Sequence, residues 1–127
     1  MNAPANLKYT KSDEWFNPET GAMGISDYAQ SQLSDIVFME VLVDEGDTID
    51  AGKAIASVES VKASAEIYAA AGGKVTAVNK DLSNKPETLN SDPYGEGWMV
   101  KIRLSDASEV DQLMDVNAYR ELLQSGS

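Results

Sequence analysis

A chain of 127 residues is long enough to bury one substantial core and too short for two ordinary domains, so a single domain over 1–127 is expected. The absence of both cysteine and histidine excludes disulfides, thiolate or imidazole metal sites, cysteine nucleophiles and a Ser-His-Asp triad. Ten basic against 21 acidic residues give a net charge of −11, which argues against nucleic-acid binding, favours basic partner surfaces and helps keep a small protein soluble and monomeric.

The N-terminal Met1-Asn-Ala-Pro-Ala has neither a basic region nor an apolar signal core, and no apolar stretch approaches membrane-spanning length. A soluble cytoplasmic protein is predicted, with no membrane partner. Asp27 followed by Gln30 reads as a capping box opening a short helix to about Leu33. Val37, Met39, Val41 and Val43 then alternate with Ile36, Phe38, Glu40 and Leu42, predicting a strand that is apolar on both sides in its first half and therefore central. Asp44-Glu-Gly-Asp47 and Asp50-Ala-Gly-Lys53 supply turns. Ala54, Ala56 and Val58 form one strand face; further on, Ala63, Ala65 and Ile67 oppose Ser64, Glu66 and Tyr68.

After Gly72-Gly73, Val75 and Ala77 alternate with Thr76 and Val78, and Asn90-Ser-Asp-Pro-Tyr-Gly reads as a structured turn. The cleanest alternation sets Trp98, Val100, Ile102 and Leu104 against Met99, Lys101 and Arg103, a strand. Trp15 and Trp98 are assigned to packing. Asp106 and Glu109 repeat the capping-box arrangement before Val110, Leu113 and Met114. Asp115 is placed to cap a last helix in which Val116, Tyr119 and Leu123 recur at helical spacing. Only the first residues and Gln124–Ser127 look frayed, leaving an ordered core of about 7–123.

Lys62 falls between two of these alternating segments, where strand pairing would hold its side chain out at a turn. Glu59-Ser-Val-Lys62 contains no Asn-Gly or Asp-Gly pair, so the turn type stays open. A lysine in a surface hairpin is ordinarily a solvated charge, and periodicity alone assigns it nothing more.

Five ordered blocks change that reading: Leu7-Lys-Tyr-Thr-Lys-Ser-Asp-Glu-Trp15, Gly24-Ile-Ser-Asp-Tyr-Ala-Gln30, Leu33-Ser-Asp-Ile-Val-Phe38, Val58-Glu-Ser-Val-Lys-Ala63 and Asn90-Ser-Asp-Pro-Tyr-Gly-Glu-Gly-Trp98. Through them the chain, from Leu7 to about Leu123, resembles the H proteins of the glycine cleavage system. Val61 and Ala63 beside the lysine separate it from biotin carriers, which flank theirs with methionines, and from dehydrogenase-complex lipoyl domains with Asp-Lys-Ala. Three positions depart from the family pattern. Asp13 stands where the common Ser-His-Glu-Trp has histidine, Ala70 replaces the proline of Tyr-Ala-Pro, and Gly72 replaces serine. The last two are expected to loosen their turn by roughly 0.4–1 kcal/mol each through unfolded-state entropy.

The resemblance implies a mainly β fold, a barrel-sandwich hybrid of the biotinyl/lipoyl-carrier type with short helices near the N-terminal third and at the C-terminus. It implies lipoate joined as an amide to Lys62, with Glu59, Ser60, Val61, Ala63 and Glu66 around the attachment point read by lipoylating enzymes. A cleft of Ser12, Glu14 and Tyr68 would hold the loaded arm, a carboxylate pairing with its amine. No catalytic or metal-binding residue is expected in a carrier that is not itself an enzyme. The implied partners are a pyridoxal-phosphate glycine decarboxylase, which loads an aminomethyl group; a folate-dependent aminomethyltransferase, which takes the one-carbon unit; and dihydrolipoyl dehydrogenase, which reoxidises the dithiol. The alternatives are a lipoyl-relay protein of similar sequence serving other complexes, and an unmodified acidic adaptor.

Overall fold

The computed structural model describes residues 3–126. Nine strands form two antiparallel sheets: β1 (Lys8–Tyr9), β2 (Glu14–Phe16), β3 (Ala22–Ile25), β4 (Ile36–Val41), β5 (Thr48–Ile49), β6 (Ala54–Ser60), β7 (Ser64–Tyr68), β8 (Gly73–Val78) and β9 (Val100–Leu104). One sheet runs β1-β2-β3-β9-β8-β5 and the other β4-β6-β7. Between them lies the main core, built from Phe16, Met23, Ile25, Ile36, Met39, Ile55, Val58, Ile67, Val75, Val100 and Ile102 among others. This is the expected mainly β architecture, and short helices complete it: α1 (Asp27–Leu33), α2 (Thr88–Ser91) and α3 (Val116–Gly126).

The two-residue period survives where strands are regular. Val100 and Ile102 are buried while Arg103 is exposed, and Val58 and Ile67 turn inward while Glu59, Glu66 and Tyr68 turn outward. Bulges account for its failures on β4 and β6, whereas Met99, read as facing away from Val100, is buried just before β9 begins. The register slips between Ala54 and Ala56, so Ile55 and Ala56 are both buried. On β4 it slips between Ile36 and Phe38, leaving both Val37 and Phe38 exposed. That strand is therefore not central. Among the described residues it pairs with β6 alone, at the edge of its sheet.

The capping residues also shift. Ser26, not Asp27, caps α1, accepting from the Ala29 N–H at 3.2 Å, while Gln30 Nε2 donates to Asp27 Oδ1 inside the helix. Asp106 caps a 3-10 turn over Ala107–Gln112 by accepting from the Ser108 N–H; Glu109 instead reaches the Gly72 N–H at 3.0 Å. Asp115 does cap α3, accepting from the Ala118 N–H at 2.8 Å. Where fraying is expected from Gln124, α3 continues to Gly126; Met1, Asn2 and Ser127 lie outside the described residues. The glycine at 72 does not mark a slack turn, because Glu109 holds its N–H and the Ile49 carbonyl oxygen lies 3.0 Å from where a Cβ would stand. The segment before β9 holds a 3-10 turn (Lys80–Ser83) and α2, neither anticipated from the pattern. Within it, Asn90 donates to the Ser34 carbonyl and Gln30 Oε1 and accepts from the Ile36 N–H, fastening the end of α1 to the start of β4.

A second cluster gathers Leu7, Tyr9, Trp15, Ala22 and Tyr119, with Trp98 packed against it, and so attaches α3 to β1 and β2. Tyr9 and Tyr119 stack with ring centroids 4.5 Å apart and planes within 2°. This packing fixes the β1–β2 turn, on which one wall of the candidate site is built.

Candidate functional site

Lys62 sits, exposed, in the turn of the β6–β7 hairpin, whose last pair is Glu59 opposite Ser64. The missing Asn-Gly signal has a physical reason: neither Val61 nor Lys62 adopts a positive φ, so the turn is not of the primed kind. Ser60 closes it instead. Its Oγ accepts from the N–H groups of Lys62 (3.2 Å) and Ala63 (3.1 Å), and its own N–H donates to the Ala63 carbonyl at 2.8 Å. The Val61 N–H donates to the Asp35 carbonyl at 3.1 Å, tying the tip to the start of β4. The backbone under Lys62 is thus held at several points while the side chain projects into solvent.

A surface groove of about 430 Å³ runs along the paired strands of the hairpin, lined by Ser57, Val58, Glu59, Ser64, Ala65, Glu66 and Tyr68. Tyr68 also meets Glu14, a carboxylate only 3 % exposed that does not itself line the groove. Its Oε1 accepts from Ser12 Oγ at 2.6 Å and from Thr10 Oγ1, and its Oε2 accepts from the Tyr68 N–H at 3.2 Å. Ser12, Glu14 and Tyr68 are therefore brought together, although Tyr68 contributes its backbone rather than its hydroxyl. A carboxylate has about four acceptor positions, and three are taken, so Glu14 retains capacity for one further donor. Burial raises its pKa above the ordinary 4.5, an effect opposed by the hydrogen bonds from Ser12, Thr10 and Tyr68. Glu59 and Glu66 face solvent on the outer sheet surface, and Ala63 is exposed beside the lysine.

Thr10 belongs to the site and escapes sequence reasoning, although it lies inside the first matched block. Asp13 is the more informative surprise. It occupies the left-handed region at φ 72°, a conformation for which Asp, Asn and His are all enriched, so aspartate and the family's histidine both suit this turn. Its Oδ1 accepts from the Tyr119 hydroxyl at 2.9 Å, which in turn lies 2.7 Å from Ser26 Oγ. Tyr119 has a single hydroxyl proton; since an ionised Asp13 only accepts, Ser26 is the donor to Tyr119. Asp13 is also pushed up in pKa by burial, with the Tyr119 hydrogen bond pulling the other way. Burial raises the Tyr119 pKa far above the phenolic range and keeps the hydroxyl protonated. Helix α3 thereby anchors the turn that presents Ser12 and Glu14.

Comparison with known proteins gives matches along nearly the whole chain. Residues 7–126 match the family described as glycine cleavage H-protein. The chain is 50 % identical over 121 residues to the glycine cleavage system H protein of Idiomarina loihiensis, covering 93 % of each chain. It is 48 % identical over 124 residues to that of Bacillus cereus, covering 96 % of this chain and 97 % of the relative. Its fold superimposes on the crystal structure of a glycine cleavage system H protein from Mycobacterium marinum with a TM-score of 0.85 at 28 % identity, covering 96 % and 99 % of the two chains. The barrel-sandwich hybrid fold, the ordered motifs and these full-length matches lead to one conclusion: the chain belongs to the glycine cleavage H-protein family.

Proposed function

We propose that this chain, as one lipoyl-carrier domain over 1–127, shuttles between the enzymes of the glycine cleavage system with lipoate carried on Lys62. The observation that carries this reading is a lone exposed lysine on a tightly fastened turn. A prosthetic arm needs that combination, because a fixed base confines the volume its end explores and raises its effective concentration at a docked active site. The residues fit the group: Lys62 is exposed, so its Nζ can form an amide, and the adjoining groove is lined by Tyr68, whose N–H donates to Glu14. Bound there, lipoate supplies a disulfide that can be reduced and can accept a transferred group.

The chain's own residues would do the rest. Ser60 and the Asp35 carbonyl fix the base of the arm; Glu59, Val61, Ala63 and Glu66 surround it for recognition by the lipoylating enzyme. Ser12 and Thr10 orient the Glu14 carboxylate, which would pair with an amine brought to the Tyr68 end and keep it from water. The proposed partners are a pyridoxal-phosphate glycine decarboxylase, a folate-dependent aminomethyltransferase, dihydrolipoyl dehydrogenase and lipoylating enzymes. A charge of −11 would steer their basic faces toward the carrier in a salt-dependent way. No helix among the described residues is long and apolar enough to cross a membrane, and the proposed carrier is a cytoplasmic monomer, not an enzyme. Lys62→Arg is the test. Intact mass should show a lipoyl increment on wild type alone, and the variant should support no glycine cleavage in a reconstituted system; undiminished turnover with Lys62→Arg refutes the proposal in favour of an adaptor.

A further inference from the structure

The bulge on β4 creates a feature for which the carrier role of Lys62 has no evident use. A regular strand would turn one of two successive residues inward, but the register slip leaves Val37 59 % and Phe38 46 % exposed. Phe38 pairs with Glu59, Ile36 pairs with Ser60, and Val61, itself 68 % exposed, is hydrogen-bonded to Asp35. Backbone pairing therefore places Val37 and Phe38, on a strand whose other edge pairs with no strand among the described residues, and Val61, in the turn itself, at the Lys62 end of the hairpin. Solvation alone gives no reason to expose them there.

Carboxylates stand beside them: Asp35 immediately precedes β4, and Glu59 pairs with Phe38. Strand register places Glu40, Ser57 and Glu66 in one row beside the row of Phe38, Glu59 and Ser64. The surface is an apolar knob with carboxylates along one flank, complementary to an apolar socket flanked by lysine or arginine.

We infer that Val37, Phe38 and Val61 form the contact by which the enzyme that acylates Lys62 grips its substrate, through a socket of that chemistry. The inference rests on the carrier reading and names the partner of the same site. The choice of partner follows from reach. Enzymes that work on the far end of an installed arm can stand off from its base. The acylating enzyme has no arm to use and must bring a carbonyl carbon within about 3–3.5 Å of Nζ, next to these side chains. In that step the deprotonated Nζ attacks the carbonyl of an acyl–phosphate mixed anhydride. The amide C–N bond forms, the acyl C–O bond breaks with the phosphate leaving as an anion, and the amine proton passes to solvent.

The experiment measures initial rates of Lys62 acylation by a purified lipoate–protein ligase with lipoate and ATP, read by intact mass. It compares wild type, Val37→Ser/Phe38→Ser, Val61→Ser and Leu42→Ser, each checked for wild-type circular dichroism. Leu42 is an exposed apolar residue just beyond β4 and serves as the control. Val61→Ser lies in the turn, outside both strands, and keeps the test open should the double variant fold poorly. The expected result is a KM raised at least about 10-fold by the double variant and several-fold by Val61→Ser, with kcat and Leu42→Ser both within about 2-fold of wild type. Added salt should raise the wild-type KM. A folded double variant or Val61→Ser acylated with wild-type KM overturns the inference, as does equal damage from Leu42→Ser. Failure of wild type itself to be acylated would instead refute the carrier reading.

Discussion

Replacing Tyr119 by Phe tests whether α3 holds the Ser12–Glu14 turn in place. The substitution keeps the ring stack on Tyr9, whose centroid lies 4.5 Å away, and removes only the hydroxyl that donates to Asp13 at 2.9 Å and sits 2.7 Å from Ser26 Oγ. Losing a hydrogen bond to an ionised, half-buried carboxylate should destabilise the fold by roughly 1.5–3 kcal/mol. Ser26 Oγ still accepts from the Ala29 N–H, but its own buried O–H loses its acceptor, which should add roughly 1–3 kcal/mol. Equilibrium urea unfolding of wild type, Tyr119→Phe, Asp13→Gly and the double variant isolates the pair. Glycine is the right partner substitution because it accepts the positive φ at 13 without strain.

The expected coupling is about 1–2 kcal/mol, since the Tyr119 hydroxyl should matter less once the carboxylate is gone. The pH dependence has a definite sign. The Tyr119 bond lowers the Asp13 pKa relative to the variant that lacks it, so the stability it confers is present above the Asp13 titration and is lost as pH falls through it. The gap between wild type and Tyr119→Phe should therefore be widest near neutrality and narrow in acid. Additive effects within about 0.5 kcal/mol, or a gap that widens in acid, would refute the anchoring role.

Other expectations follow from single contacts. Ser60→Ala removes the hydroxyl that closes the Lys62 turn; it should cost no more than about 1 kcal/mol globally while speeding amide exchange at Lys62 and Ala63. Gly73→Ala places a Cβ 2.1 Å from the Arg103 carbonyl oxygen, which is backbone and cannot swing away. A loss of at least about 1–3 kcal/mol by thermal or chemical unfolding is expected. For Glu14, burial raises the folded pKa above the ordinary 4.5, so its protonated form favours the folded state. That stability is fully present below 4.5 and is lost as pH rises through the folded value. The stability of wild type relative to Glu14→Gln should accordingly decline from acid toward neutral pH, and a rise measured by denaturation at several pH values would contradict the burial argument.

Local chemistry made much of this protein legible in its sequence. Alternation of apolar and polar side chains located β6, β7, β8 and β9, because a strand half-buried between sheet and solvent leaves its period in the residues themselves. Asp115 announced the start of α3 because a cap acts within a few residues of itself. The ordered motifs carried the family resemblance and singled out Lys62.

What the sequence left open was decided by contacts between residues far apart in the chain. Glu14 meets the Tyr68 N–H 54 positions away, and Asp13 meets Tyr119 across 106, so no local pattern reveals that α3 supports the turn bearing Ser12 and Glu14. Ser26 outcompetes Asp27 as the α1 cap while its hydroxyl also meets Tyr119 in the second core cluster, a partner fixed only by packing. Above all, the apolar run at the start of β4 reads as the mark of a central strand. A single-residue bulge and an edge position instead turn Val37 and Phe38 outward beside Lys62. Periodicity records which residues are apolar, but pairing register and the number of neighbouring strands decide which of them meet water.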